Sequence, residues 1–310
     1  MKDERYQGIK GFVIYNPSKV LLYMKEWQKK EPVFLELHPS TKCNNRCIWC
    51  RYWGMAKQNT LSREQMFGLF DKYPKVKGIR ITGGGEPLMN EHLLEFIEEC
   101  TKRGIKTSLE TNGNLLTKEV ADVIGSNCQY CRVSLDATTA KTYKIVHGVD
   151  TFDKVIENIR YMCKTKIPEF GLSYLVTQYN VWEISKFEQL NLPVGYVHFK
   201  PLIEGIDPEI KKIALDKIKE LSTKVSANIK YDRMIEDYYH NKKMKCEITK
   251  LLRVIGGDGK EYVCCEHAYE PDFEVGVWDG STKKCVQCRY ANYNEIVDMF
   301  KNNTFTKEFL

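Results

Sequence analysis

His38-Pro-Ser-Thr-Lys-Cys43-Asn-Asn-Arg-Cys47-Ile-Trp49-Cys50 sets three cysteines at C-x3-C-x2-C spacing directly behind an apolar run, Val33-Phe-Leu-Glu-Leu-His38. A four-iron cluster has four irons, each ordinarily held by one thiolate, so a trio leaves one iron without a protein ligand. An open coordination position implies chemistry at the metal. Structural zinc sites are instead closed by four ligands, usually as two short-spaced pairs, and no fourth cysteine lies near Cys50. The run 33–38 reads as a strand, which places the trio in the loop at its C-terminal end.

Outward from that loop, strand and helix patterns alternate. Helices are expected over 62–73, 91–103, 117–124 and 151–164, with a short one over 181–187. Strands are expected over 78–82, 105–109, 130–135, 170–177 and 194–199. Six strand-then-helix units predict an α/β fold, a parallel sheet curled into a partial (β/α)6 TIM-like barrel with its helices outside. Functional groups then belong at the C-terminal strand ends. A further helix over 208–225 carries Ile210, Ala214, Ile218 and Leu221 on one face. From Cys246 the chain becomes glycine- and cysteine-rich, and 251–255 and 261–264 flank the turn Gly256-Gly-Asp-Gly259 as a hairpin. The expected organisation is an extension over 1–31, the barrel over 32–225 and a small Cys-rich hairpin/helix domain over 226–310.

The cysteine trio, with the aromatic Trp49 just before its last member, resembles the radical S-adenosylmethionine (SAM) superfamily, and the ordered motifs behind that resemblance span residues 33–200. The resemblance implies that Cys43, Cys47 and Cys50 hold a [4Fe-4S] cluster whose open iron is chelated by the amino and carboxylate groups of SAM. The reduced cluster then splits SAM into methionine and a 5'-deoxyadenosyl radical, which takes a hydrogen atom from an unactivated C–H bond. Thr82-Gly83-Gly84-Gly85-Glu86-Pro87 matches the family's GGEP motif, which implies that Gly84, Gly85 and Glu86 bind the SAM ammonium. Trp49, Asn112, Ser134 and Asp136 complete the implied cofactor pocket. Read by themselves, Asn112, Ser134 and Asp136 fit turns and helix caps as well as they fit ribose or carboxylate binding.

A second set of thiols follows. Cys246 and Cys264 are separated by 17 intervening residues around the expected hairpin, and Cys285-Val-Gln-Cys288 follows after 20 more. Four thiolates can close a site, and by chemistry alone zinc suits it nearly as well as iron. The pattern resembles the shortened SPASM, or twitch, extension of radical SAM enzymes, which implies an auxiliary [4Fe-4S] cluster on Cys246, Cys264, Cys285 and Cys288. Cys265 is spare: an inert neighbour, a substitute ligand, or a catalytic hydrogen-atom donor. Cys100 and Cys163 fall on apolar helix faces, and Cys128 and Cys131 are discounted as a metal pair because residues three apart on a strand face opposite ways.

Composition bounds the rest. The chain has 310 residues, 43% hydrophobic and 28% charged, with a formal charge of +6 and no block of basic residues, which argues against nucleic acid as a partner. No apolar stretch reaches the ~18 residues of a membrane span. Twelve cysteines without a signal-peptide pattern point to a reducing cytoplasm and thiols that serve metal. The resemblance implies a one-electron donor such as flavodoxin or ferredoxin and a small-molecule or peptide substrate. The spacing of Cys246 and Cys264 resembles that of twitch-type dehydrogenases, so the expected reaction is two-electron oxidation of a sugar, cyclitol or nucleotide, with the auxiliary cluster as electron acceptor. The alternatives are epimerisation with Cys265 as hydrogen donor, cross-linking of a ribosomally made peptide, for which the 1–31 extension is short, and a zinc-containing nucleic-acid-binding module.

Overall fold

Helix starts are written into the local sequence. Ser62 accepts from Gln65 N while the Gln65 side chain returns to Ser62 N, a capping box that opens α2 (Arg63–Lys72) after the short α1 (Met24–Lys29). Thr117 caps α4 (Lys118–Asn127), Thr139 caps α5 (Ala140–His147) and Asp207, ahead of Pro208, caps α7 (Pro208–Ser222). The remaining helices are α3 (Leu93–Lys102) and α6 (Phe152–Met162). Residues 181–190 form 3-10 turns. The computed structural model describes residues 24–53, 58–202, 205–231, 234 and 246–277.

The strands are β1 (Phe34–Leu37), β2 (Gly78–Ile81), β3 (Lys106–Thr111), β4 (Cys128–Ser134), β5 (Phe170–Leu175), β6 (Tyr196–Lys200), β7 (Asn228–Lys230), β8 (Leu252–Ile255) and β9 (Glu261–Tyr262). They form one sheet in the order β7-β6-β5-β4-β3-β2-β1-β8-β9, parallel throughout except for the β8–β9 hairpin. The six expected strands lie adjacent in chain order. The sheet is open at both ends, a partial TIM-like barrel. It draws on residues from both sides of position 226, because β7 extends it beyond β6 and β8 returns to pair in parallel with β1, Phe34 opposite Leu252.

Alternation along each strand sorts the two faces. Leu35 and Leu37 of β1, Ile79 and Ile81 of β2, Leu109 of β3 and Val133 of β4 join the hydrophobic core with helix residues such as Phe70, Phe96, Ile124 and Ile159. Phe70 and Phe96 stack with centroids 5.1 Å apart. Each such buried side chain stabilises the fold by roughly 1.5–3 kcal/mol. Cys100 is fully buried there, and Cys163 packs at its margin. One expectation is corrected: the register of β3 against β4 shifts between Thr107 and Ser108, so Cys128 opposes Thr107 and Tyr130 opposes Ser108. The irregularity brings Cys128 and Cys131 into the same core, where sulfur acts as a small apolar group. Among the described residues no helix is long and apolar enough to cross a membrane.

Candidate active site

The other face of the same strands is polar and largely dry. His38 Nε2 lies 3.2 Å from Glu36 Oε1, and Arg80 Nη1 donates to Glu36 Oε2 at 2.8 Å. Arg80 Nε donates to Glu110 Oε1 at 2.9 Å, and Arg132 also pairs with Glu110. One row of alternating charge therefore crosses β1 to β4, each ion held by opposite charges and hydrogen bonds. Ser134 lies on β4 with its Oγ 3.2 Å from Ser173 Oγ.

At the C-terminal end of β1 the cysteine loop folds back on fixed partners. Asn90 Nδ2 donates to Pro39 O at 3.0 Å and to Leu61 O at 2.9 Å, tying the two ends of the loop together. Arg46 N donates to His147 O at 2.8 Å and Ile48 N to Val146 O at 3.1 Å, which anchors the middle of the loop on the last turn of α5. Gly148 closes that helix in the left-handed conformation with φ 69°; a Cβ there would meet Arg46 O at 2.6 Å. His147, almost fully buried, sits 3.2 Å from Cys47 Sγ through Nδ1 and 3.0 Å from Leu135 O through Nε2. Cys43 and Cys47 are half-buried and Cys50 is exposed. Burial, and then the neighbouring charges of Glu86 and Cys50, lift the Cys43 thiol above its ordinary range. Burial followed by Asp136, Cys50 and Cys43 does the same to Cys47. A cation is what lets such a trio ionise together. Among the described residues no three Cys, His, Asp or Glu side chains converge as they would on a single metal ion, whereas in a four-iron cluster each thiolate binds a different iron.

The glycine turn after β2 interlocks with this loop. Glu86 N donates to Lys42 O at 2.7 Å, and a Cβ on Gly85 would lie 2.2 Å from the same carbonyl. Only glycine permits that approach. Glu86 is buried; its carboxylate accepts from Thr111 Oγ1 at 2.6 Å, Asn112 N at 2.8 Å and Leu88 N at 3.2 Å. Burial pushes its carboxyl upward against those three hydrogen bonds, and no ion pair to Glu86 forms among the described residues. A buried carboxylate so placed fits a ligand's ammonium group. Asn112 bridges the same region, donating from Nδ2 to Asn44 Oδ1 at 2.7 Å and lying 3.9 Å from Cys43 Sγ. Asp136, at φ 52°, holds the end of β4 to β5 by accepting from Leu175 N at 2.6 Å, with its other oxygen 3.5 Å from His147 Nε2. Trp49 packs against the core margin, edge-on to His147.

The C-terminal segment closes over the loop. Tyr52 OH donates to Cys265 O at 3.2 Å, Arg51 pairs with Glu266 and Glu270, and Tyr269 OH lies 3.0 Å from His38 Nδ1. The expected hairpin forms as β8–β9, but β9 ends at Tyr262; Cys264 is extended just beyond it and Cys265 opens the 3-10 turn Cys265–His267. Cys264 is half-buried and Cys265 is buried. Cys246 precedes the 3-10 turn Ile248–Lys250. Cys285, Cys288 and the 1–23 part of the extension lie outside the described residues. His147, Tyr52 and Tyr269 carried no sequence signal as site residues; Gly148 alone, as a helix stop, marked the helix that delivers His147.

Residues 37–190, which hold the trio, the glycine turn and the ends of β2 to β4, match the profile of the Radical SAM superfamily. The chain belongs to the radical SAM superfamily. It is 29% identical over 274 residues to a probable GTP 3',8-cyclase of Saccharolobus islandicus, covering 84% of each chain. A probable GTP 3',8-cyclase of Saccharolobus solfataricus is 29% identical over 217 residues, 68% of this chain and 64% of the relative. Among solved structures, Streptococcus suis SuiB bound to S-adenosylmethionine aligns with TM-score 0.63 at 15% identity, over 83% of this chain and 67% of SuiB. Native anSMEcpe with bound AdoMet aligns with TM-score 0.59 at 19% identity, over 85% and 82%. At these identities the structures speak to the fold. Radical SAM membership implies a [4Fe-4S] cluster and SAM, and the thiol trio, the glycine turn and buried Glu86 fit that pair of groups.

Proposed function

We propose that this chain cleaves SAM reductively and oxidises a small hydroxylated substrate, a sugar, cyclitol or nucleotide, by two electrons at a carbinol carbon. When bound, the SAM cluster supplies the 5'-deoxyadenosyl radical that removes hydrogen, and an auxiliary cluster supplies a sink for the second electron. Cys43, Cys47 and Cys50 would hold the first cluster; Cys246, Cys264, Cys285 and Cys288 the second. Gly84, Gly85 and Glu86 bind the SAM ammonium, while Trp49 and Asn112 line the adjacent wall. Ser134 and Asp136 stand at the end of β4, where hydroxyl groups of cofactor or substrate can be bound.

The observation that carries this reading is the charged inner row of Glu36, Arg80, Glu110 and Arg132 beneath the cysteine loop. A charged inner face of this kind favours a substrate rich in hydroxyls over an apolar one. The relatives named as probable GTP 3',8-cyclases favour a second reading, rearrangement of a purine nucleotide. Epimerisation, with buried Cys265 returning a hydrogen atom, is the third outcome.

The experiment is anaerobic turnover with GTP, and with cyclitols and sugars deuterated at each carbinol. Oxidation predicts deuterium in 5'-deoxyadenosine and a product lighter by two hydrogens. A nucleotide product of unchanged mass supports rearrangement. Capture of one solvent deuterium supports epimerisation. Iron near eight atoms per chain accompanies the two-cluster assignment.

A further inference from the structure

Tyr269 belongs to the C-terminal segment, 231 residues from the strand end it touches. Its φ is +71°, a conformation that a non-glycine residue keeps only where its surroundings impose it. The ring packs against His38 at 5.7 Å, Tyr52 at 5.7 Å and Tyr262 at 5.5 Å between centroids. Its hydroxyl accepts from Gly257 N at 3.2 Å and donates to His38 Nδ1 at 3.0 Å. The direction follows from the partners: His38 Nε2 faces the Glu36 carboxylate, which Arg80 also holds, so the imidazole proton belongs on Nε2 and Nδ1 is the acceptor.

The same ring lies on the glycine turn. A Cβ built on Gly84 would sit 2.1 Å from Tyr269 OH and 2.6 Å from its Cζ, while a Cβ on Gly85 would strike Lys42 O at 2.2 Å. The turn is thus pressed between the cysteine loop on one side and Tyr269 on the other. Arg51 with Glu266 and Glu270, and Tyr52 with the Cys265 carbonyl, tie the same segment to the loop a second time.

We propose that Tyr269 is a positioning residue of the SAM site: held by His38, it sets the backbone of the Gly84 turn, so that SAM affinity depends on docking of the C-terminal segment. The inference rests on the assignment of Gly84 to Glu86 to the SAM ammonium. Coupling of this kind is reciprocal, so SAM must also tighten the segment.

The test uses the anaerobically reconstituted holoenzyme and SAM itself, with the dissociation constant read from the change SAM makes in the EPR signal of the reduced cluster. Tyr269→Phe keeps the ring, loses the hydroxyl and weakens SAM about fivefold, the size of one hydrogen bond. Tyr269→Ala weakens it more than about tenfold. Iron per chain stays at the wild-type value in Tyr269→Phe, and Glu274→Gln in the same segment binds SAM normally. Gly84→Ala also weakens SAM, and Gly84→Ala with Tyr269→Ala costs less than the two separate losses multiplied, because the clash is gone. In the wild type SAM slows proteolysis after the β9 hairpin; in Tyr269→Ala it does not. Wild-type affinity in both Tyr269 variants, or a loss that merely tracks lost iron, overturns the proposal. Glu86→Gln separates the causes: if it too binds SAM normally, the underlying assignment of the turn fails and the proposal with it. If Glu86→Gln loses SAM while the Tyr269 variants do not, the role of Tyr269 alone is refuted.

Discussion

The two faces of the sheet are made by neighbouring residues of the same strands and obey opposite rules. Leu35 and Leu37 face helices and need nothing beyond close packing; Glu36 and His38, one residue away, need named partners at hydrogen-bond distance. The helix side can absorb a change by relaxing. The inner side cannot, because a buried charge that loses its partner keeps its full desolvation cost. The difference separates what holds the barrel together from what equips it for chemistry.

The largest expected effect breaks the inner row. Arg80→Met leaves Glu36 and Glu110 without their shared cation and destabilises the protein by about 4 kcal/mol in anaerobic urea unfolding. Replacing all three together, Glu36→Gln, Arg80→Met and Glu110→Gln, recovers most of that loss. A single-variant cost below about 1 kcal/mol would mean that the row is wet and the contrast between the faces is false. Phe96→Ala probes the other face, costing about 3 kcal/mol through the cavity beside Phe70, with iron content and SAM affinity unchanged. At the mouth of the barrel, Glu86→Gln retains iron but weakens SAM about tenfold, measured by equilibrium dialysis.

The smallest effect is one of pH. Glu183 is held below the ordinary carboxylate value: burial works to raise it, but hydrogen bonds from Thr139, Thr142 and Thr138 outweigh burial. Because its folded pKa is depressed, its contribution is complete above the unfolded glutamate value and is lost as pH falls through the lower folded one. Glu183→Gln therefore lowers stability near neutrality by the contribution the wild type loses in acid, and flattens the acid limb of the stability curve below the ordinary glutamate range. An identical acid limb in wild type and variant contradicts the assignment.

The six central strands were legible because each short apolar run alternates with a helical or turn segment of different period, and the cysteine loop because its spacing carries chemistry. The helix Ala140–His147 was not, since its buried face consists of Thr142, Tyr143, Val146 and His147, too short and too polar to register as periodic. The pairing of Leu252–Ile255 with β1 was hidden for another reason: it joins segments more than two hundred residues apart, and local pattern says nothing of such partners. The same distance concealed Tyr269, whose contacts with His38 and Gly84 exist only after the chain has closed. The shared burial of Cys128 and Cys131 escaped the alternation rule because a register shift breaks the alternation itself.

The central claim is an open iron at the Cys43, Cys47 and Cys50 loop. It is tested most directly by the EPR spectrum of the reduced protein carrying Cys285→Ala and Cys288→Ala, recorded before and after addition of SAM. The expected result is a [4Fe-4S] signal that changes on addition, because the amino and carboxylate groups of SAM take the vacant position. Identical spectra, or a protein that binds zinc at this loop in place of iron, would contradict it.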